Sequence, residues 1–165
     1  TRAHAQNAVN VMRSCQMRPI MTFMIGNPHE DIDDIMETVD FFIQNKIVCE
    51  PFICTPYPGS KLFIDYNTFI LNQYNSSLTD LSTKEEKLKA LELFLTELDD
   101  ATEITGHVSQ CFNSVELVGL KTLVGHNDTT RILRFAHDTG RPHAKKWSHY
   151  CEVCSKKKDL LMLPT

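Results

Sequence analysis

The chain has 165 residues, a length that suits one domain at ~100–200 residues per domain. Hydrophobic residues make up 42% and charged residues 23%, a globular balance that excludes collagen-like and disordered compositions. Seventeen Lys and Arg against twenty-one Asp and Glu give a net charge of −4, which argues against nucleic-acid binding as the main role. No run of ~18 apolar residues is present, so no membrane span is expected. No basic stretch precedes an apolar core at the start, so no signal peptide is visible. Thr1 stands where an initiator Met would and opens directly on helix-like sequence, which predicts an excised or processed piece.

Residues 2–15 have helical spacing, with Ala5, Ala8, Val9 and Met12 on one face. Arg18-Pro19 breaks that pattern, and Ile20 to Ile25 follows as an apolar run that predicts a strand buried on both faces. Ile32, Ile35, Met36, Val39, Phe42 and Ile43 then form a single helical stripe. Glu30, Asp31, Asp33 and Asp34 crowd its first turns, where the helix dipole favours negative charge. Asn27 is the expected cap, with Pro28 at the first helical position and Glu30 following. Ile47 to Thr55 reads as a second buried strand despite Pro51, and Pro56-Tyr57-Pro58-Gly59-Ser60 is a turn. Strand, helix and strand with short links predict a parallel βαβ unit. Residues 1–60 thus read as consecutive αβ units cut from a larger α/β sheet or barrel.

Beyond residue 61 the pattern is helical. Residues 62–75 carry aromatic and aliphatic residues, Asn75 to Ser82 is a polar link, and Thr83 with Glu86 forms a capping-box signal. Leu88, Leu91, Leu95 and Leu98 mark a helix to about residue 104, and this stripe reads as core or interface. Asn113 with Glu116 repeats the start signal before Val115 to Val124. Asn127 or Asp128 opens a last helix that Gly140 ends. The expected organisation is 1–65 αβ, 66–140 helical, and 141–165 a tail. Arg141, Lys145, Lys146 and Lys156 to Lys158 make that tail basic, either as a solvated face or as a local phosphate patch.

Six cysteines stand at 15, 49, 54, 111, 151 and 154. With a core of this size and no signal peptide, they predict a reducing, cytoplasmic setting rather than disulfides. Cys49 and Cys54 lie in an apolar run where cysteine acts as a small hydrophobe. Cys151 and Cys154 have half-site spacing for zinc or an auxiliary cluster, with His149 placed to join them and His137 or His143 as candidates to complete the set. Two free thiols or a redox pair are the other readings of the same spacing. Histidines 4, 107 and 126 receive no role, and Glu97, Asp99 and Asp100 read as a solvated face.

In parallel α/β folds ligands bind beyond the carboxyl ends of the strands, which here are Gly26–Glu30 and Thr55–Ser60. Gly26 would let a ligand approach the backbone closely, and free N–H groups at the helix start would face its polar atoms. A plain helix cap and an exposed loop His29 are the structural alternatives.

Phe23-Met24-Ile25-Gly26-Asn27-Pro28-His29-Glu30, the helix with Glu37-Thr38, and Phe52-Ile53-Cys54-Thr55-Pro56-Tyr57-Pro58-Gly59-Ser60 resemble the second half of a radical S-adenosylmethionine enzyme core. The family pattern is G-x-P-G-E-T after a strand and T-P-Y-P-G-T after the next. The likeness is greatest to the branch that carries an upstream cobalamin-binding domain, and it covers about residues 1–65. It implies the C-terminal part of a partial (β/α) barrel followed by a mainly helical region. It also implies S-adenosylmethionine held against a [4Fe–4S] cluster. The parent would generate a 5′-deoxyadenosyl radical or transfer a methyl group, using a small-molecule substrate shaped by the helical part. The resemblance assigns Ile25, Gly26 and Glu30, then Thr55, Pro56, Tyr57 and Pro58, to the adenine side of the cofactor. Backbone near Tyr57 would contact adenine, and Glu30 would order the loop. His29 departs from the family's Gly, and Asp31 and Ser60 replace two Thr. The cluster motif C-x-x-x-C-x-x-C is not in the 165 residues, so the cluster ligands would lie in the remainder of a parent chain. A non-catalytic α/β–helical module binding a nucleotide-like ligand or a partner protein is the alternative.

Overall fold

The computed structural model describes residues 1–74, 83–97 and 107–150. Two parallel strands form a single sheet, β1 (Ile20–Ile25) beside β2 (Val48–Ile53). The helices are α1 (Arg2–Ser14), α2 (Ile32–Gln44), α3 (Lys61–Tyr74), α4 (Lys84–Glu97), α5 (Ser114–Gly125) and α6 (Thr129–Asp138), followed by a 3-10 helix, Lys145–Tyr150. Helix–strand–helix–strand over the first third matches the expected αβ alternation. A barrel needs further strands than these two.

The strands differ from expectation in one respect. They are not buried on both faces but alternate along their length. Ile20, Thr22 and Met24 of β1 are exposed, as are Val48, Glu50 and Phe52 of β2. Their opposite-face neighbours Cys49, Pro51 and Ile53 are buried. The apolar character of both faces was visible in sequence; which face finds a cover is a property of neighbouring elements, not of the strand.

Pro51 sits in β2 without breaking it, and the ladder explains why. Cys54 N–H donates to Ile25 O at 2.7 Å, so even-numbered amides of β2 face β1. Alternation then turns the Pro51 nitrogen to the opposite edge, where no ladder donor is lost. A further strand on that side would meet a position with no N–H. The outer edge of β1 contains no such block.

The cap of α2 is a second correction. Neither Asn27 nor Pro28 starts the helix. Asp31 is the N-cap, its Oδ1 accepting from Asp33 N (2.8 Å) and Asp34 N (3.1 Å), while Asp34 Oδ2 accepts from Asp31 N (3.1 Å). A carboxylate at the cap also faces the positive end of the dipole, so it out-competes the asparagine upstream. The predicted stripe is buried through Ile32, Ile35, Met36, Val39 and Phe42, while Ile43 is exposed. The signals at Thr83/Glu86 and Asn113/Glu116 are reciprocal capping bonds, as expected. Asp128, not Asn127, caps α6. The link 75–82, the helix continuation to about 104 and Leu98 lie outside the residues described, as do the side chains of Leu91 and Leu95, whose backbone is in α4.

The chain divides into two compact units, each drawn from separate stretches. One comprises 1–23, 31–52 and 120–165, and the other 24–30 and 53–119. In the first, α2 packs against α6, and α6 against the 3-10 helix. Asn45, just past α2, ties α1 to it through a reciprocal amide pair with Gln6 (2.9 and 3.0 Å) and a bond from Arg13 to its carbonyl. In the second, Cys54, Phe63, Ile70, Leu71 and Val108 form a cluster on which Leu62, Tyr66 and Leu88 pack. Both strand-end segments, 24–30 and 53–60, belong to this second unit.

Candidate functional site

The strand-end loops are shaped by their own residues. Glu30 reaches back so that its carboxylate accepts from Gly26 N–H (2.5 Å) and from Asn27 Nδ2 (3.3 Å). Glu30 N–H in turn donates to Asn27 O (3.2 Å), closing the turn. Gly26 has φ +85°, a left-handed conformation for which glycine is the natural residue. After β2, Ser60 closes the other loop. Its N–H and hydroxyl both donate to Tyr57 O (3.0 and 2.6 Å), and its Oγ accepts from Phe63 N at the start of α3 (3.1 Å). Serine thus supplies the same capping hydroxyl that a threonine would, so the Ser60 departure is neutral for this turn.

The seven residues assigned to the adenine side lie together in one unit but differ in accessibility. Tyr57 is exposed, Glu30, Thr55 and Pro58 are half-buried, and Ile25, Gly26 and Pro56 are buried. Ile25 O is already bonded to Cys54 N–H, and Pro28 O accepts from Gln110 N–H (3.0 Å). His29 is exposed, with Nε2 3.5 Å from the Tyr66 hydroxyl on α3. The Cys54 thiol is pushed up from its ordinary pKa by burial and, second, by the Glu30 carboxylate, so it is a poor nucleophile.

Comparison with protein-family models, curated proteins and solved structures finds no match to this chain.

Gly26 is where the strand-end expectation changes. The space a Cβ would occupy there lies 2.9 and 3.2 Å from the two methyls of Leu117, a fully buried residue of α5. The glycine's small size therefore admits a protein side chain in this structure rather than leaving backbone open. Leu117 and Gln110 were missed in sequence because both lie more than eighty positions from the loop and carry no motif of their own. For Leu117 the only signal was its place in the apolar stretch Val115 to Val124, and for Gln110, which precedes α5, there was none.

The tail contains a second set of contacts, inside the first unit. Asp33 Oδ1 accepts from Ala144 N–H (2.7 Å) and Trp147 Nε1–H (2.9 Å). Lys146 Nζ pairs with Glu37 (2.6 Å), and the Tyr150 hydroxyl donates to Asp40 Oδ1 (2.8 Å). Asp33, Glu37 and Asp40 follow one another along one face of α2, so the 3-10 helix lies along that face. Burial and then the Asp40 carboxylate raise the Tyr150 pKa. Trp147 and Tyr150 therefore hold the segment to α2, and Lys146 is paired rather than part of a solvated tail.

His149 is exposed on that helix, with Nδ1 2.7 Å from Lys146 O. A carbonyl only accepts, so Nδ1 carries the proton and Nε2 is the nitrogen with a lone pair. That tautomer is the usual one for a metal-ligating histidine whose other nitrogen is held by a backbone carbonyl. Cys151 and Cys154 lie outside the described residues. Among the described residues no group of three or more His, Cys, Asp or Glu side chains is arranged to hold a metal ion. No described helix is long and apolar enough to cross a membrane.

Proposed function

We propose that this chain is the C-terminal part of a radical S-adenosylmethionine enzyme of the cobalamin-domain branch, with its [4Fe–4S] ligands in another part of the parent polypeptide. The observation that carries the reading is the register of the two motif loops. Gly26–Glu30 and Thr55–Ser60 leave the carboxyl ends of two adjacent parallel strands, the end where α/β folds bind ligands. The Glu30–Gly26 bond supports the loop-ordering role that the resemblance gives to Glu30. The edge position of Pro51 supports β2 as the last strand of a partial barrel, with further strands added beyond β1. The free thiols of Cys15, Cys49 and Cys54 are in keeping with a cytoplasmic, reducing setting.

The residues of this chain fit only one side of the cofactor. Thr55, Tyr57 and Pro58 are accessible and would line adenine, whereas the Gly26 face is filled by Leu117. Nothing in the sequence matches the three-thiolate cluster motif, so the radical chemistry belongs to groups outside this chain, which alone is inactive. The cobalamin and the small-molecule substrate are likewise bound by, or shared with, the remainder of the parent. In the tail, His149, Cys151 and Cys154 would provide one nitrogen and two thiolates to zinc or an auxiliary cluster.

The alternative is a non-catalytic module that binds a nucleotide-like ligand or a partner protein. The packing of Leu117 on Gly26 favours it, because a closed strand end is what a purely structural glycine would show.

The parent protein, reconstituted anaerobically with iron and sulfide, separates the two. The enzyme reading expects cluster absorbance and formation of 5′-deoxyadenosine. It further expects Tyr57→Pro, which removes one exposed backbone donor, to lower kcat/KM about ten-fold, the effect of one lost hydrogen bond of ~1.4 kcal/mol. Tyr57→Ala keeps that donor and should retain most of the rate. A parent without any Cys-x3-Cys-x2-Cys segment, or without 5′-deoxyadenosine, leaves the binding-module reading. Metal analysis of the wild type beside Cys151→Ser and Cys154→Ser tests the tail; equal, negligible zinc and iron in all three removes that site.

A further inference from the structure

The Cys54 N–H to Ile25 O bond (2.7 Å) fixes the register of the sheet as well as its edge. In a parallel ladder a carbonyl accepts from the residue that follows its neighbour, so Ile25 lies beside Ile53. Counting back along both strands puts Thr22 beside Glu50 and Ile20 beside Val48. All four are exposed, and Phe52 shares their face. Thr22 and Glu50 thus form a polar pair one strand spacing apart, about 4.8 Å. Ile20 and Val48 flank this pair on one side and Phe52 on the other. Among the described residues, neither the Thr22 hydroxyl nor the Glu50 carboxylate has a hydrogen-bond or ion-pair partner.

This face makes two opposed demands. Parallel sheets in complete α/β folds are covered on both sides, and Ile20, Val48 and Phe52 are the apolar residues such a cover needs. A dry cover would bury the Glu50 carboxylate with no partner among the described residues, which is strongly unfavourable. A polar guest opposite Glu50 meets both demands. Phe52 adds a preference for the sign of that guest. Lys121 Nζ stands over its ring at 5.9 Å, so the ring accepts a cation. Phe52 is also near the carboxyl end of β2, the end at which parallel α/β folds hold ligands, and Glu50 lies one pleat before it.

We propose that Thr22, Glu50 and Phe52 form part of the wall of a binding site for a small molecule that joins an ammonium group to an apolar body. Glu50 accepts hydrogen bonds from the ammonium, and the Thr22 hydroxyl oxygen is a second acceptor beside it. The apolar body lies on Phe52, Ile20 and Val48. The proposal names the substrate class of the enzyme reading, and it rests on that reading for the rest of the parent as the cover.

The test is an NMR titration of the 165-residue chain with phenethylamine and, separately, with phenylacetate, which pairs a similar body with the opposite charge. The amides of Thr22, Val48, Glu50 and Phe52 should shift with the amine, with a Kd about ten-fold below that of phenylacetate. Glu50→Gln removes the charge at nearly constant size and should weaken amine binding about three-fold, the worth of an exposed ion pair. Equal affinity for the two probes, no shift with the amine, or a variant Kd within about 1.5-fold of wild type overturns the proposal. Shifts at the same amides on raising the protein concentration alone would assign the face to a second copy of the chain, and overturn it as well. The titration contains no cluster, reductant or S-adenosylmethionine, so its failure is distinct from failure of the enzyme reading. Amine binding by the chain beside a parent that forms no 5′-deoxyadenosine supports the site and removes the enzyme. A parent that forms it, beside a chain that fails the titration, keeps the enzyme and loses this substrate class.

Discussion

His107 shows how one residue acquires a property that its sequence neighbourhood does not announce. It is buried, with Nδ1 lacking any hydrogen-bond partner, the ring of Phe69 edge-on at 6.1 Å, and its backbone held by Gln73. Burial pushes its pKa below the usual 6.5, and the bond to the Ser109 backbone opposes this only in part. The folded chain therefore binds fewer protons here than the unfolded chain. Stability from this group is complete above pH 6.5 and declines as pH falls from 6.5 through the lowered folded value. Urea midpoints measured from pH 8 down to pH 5 should fall over that interval, and His107→Gln should flatten the fall. An equally steep decline in the variant would assign the pH dependence elsewhere. Gly26 is the contrasting case, since its φ, its neighbours and its motif all restrict the position to glycine. Its use was only half legible. A glycine after a strand announces close approach, but not whether ligand or leucine approaches.

At the scale of elements, local rules did best where all partners lie within four residues. The caps at Thr83/Glu86 and Asn113/Glu116 were visible because each is a closed exchange of bonds across one turn. The same rule chose Asn27 for α2 wrongly, since two overlapping cap signals differ only in electrostatics, and the doubly bonded Asp31 carboxylate prevails. The acidic face of α2 was also half legible. Asp33 reads as a dipole-stabilising acid, yet it also takes two hydrogen bonds from positions 111 and 114 residues away. Removing it should release the 3-10 helix. Asp33→Ala is expected to cost about 1–3 kcal/mol, from two orphaned donors. Trp147 is the chain's single tryptophan and is buried, so its emission should shift to the red in the same variant. Unchanged emission in a folded Asp33→Ala protein would mean that the segment is held without this carboxylate.

At the scale of the whole molecule, the two-stranded sheet leaves large apolar side chains in water. Ile20 is 62% exposed and Phe52 47%, the latter with the Lys121 ammonium over its ring at 5.9 Å. Exposed side chains of this kind contribute little to folding and much to association. Ile20→Ser combined with Phe52→Ser should change the unfolding free energy by no more than about 0.5 kcal/mol per site. Binding of a hydrophobic dye and self-association in sedimentation should fall together. A loss beyond about 1 kcal/mol per site would show that these side chains already have a cover in the isolated chain. Under the enzyme reading, that cover is the rest of the barrel, joined at the unblocked outer edge of β1.

The sequence by itself determined the order of elements, the parallel βαβ unit, the two strand-end loops and two of the helix starts. Each depends on periodicity, turn residues or bonds spanning a few positions, which a linear string records directly. Tertiary structure alone decided which face of each strand is covered, that Leu117 seats on Gly26, and that residues 144–150 lie along α2. These depend on pairs separated by 91 positions for Gly26 and Leu117, and by more than a hundred for Asp33 with Ala144 and Trp147. An apolar residue or an acid in isolation specifies only that a partner is favourable. Which partner it meets follows from packing the elements together, where one leucine can occupy the space that a glycine leaves.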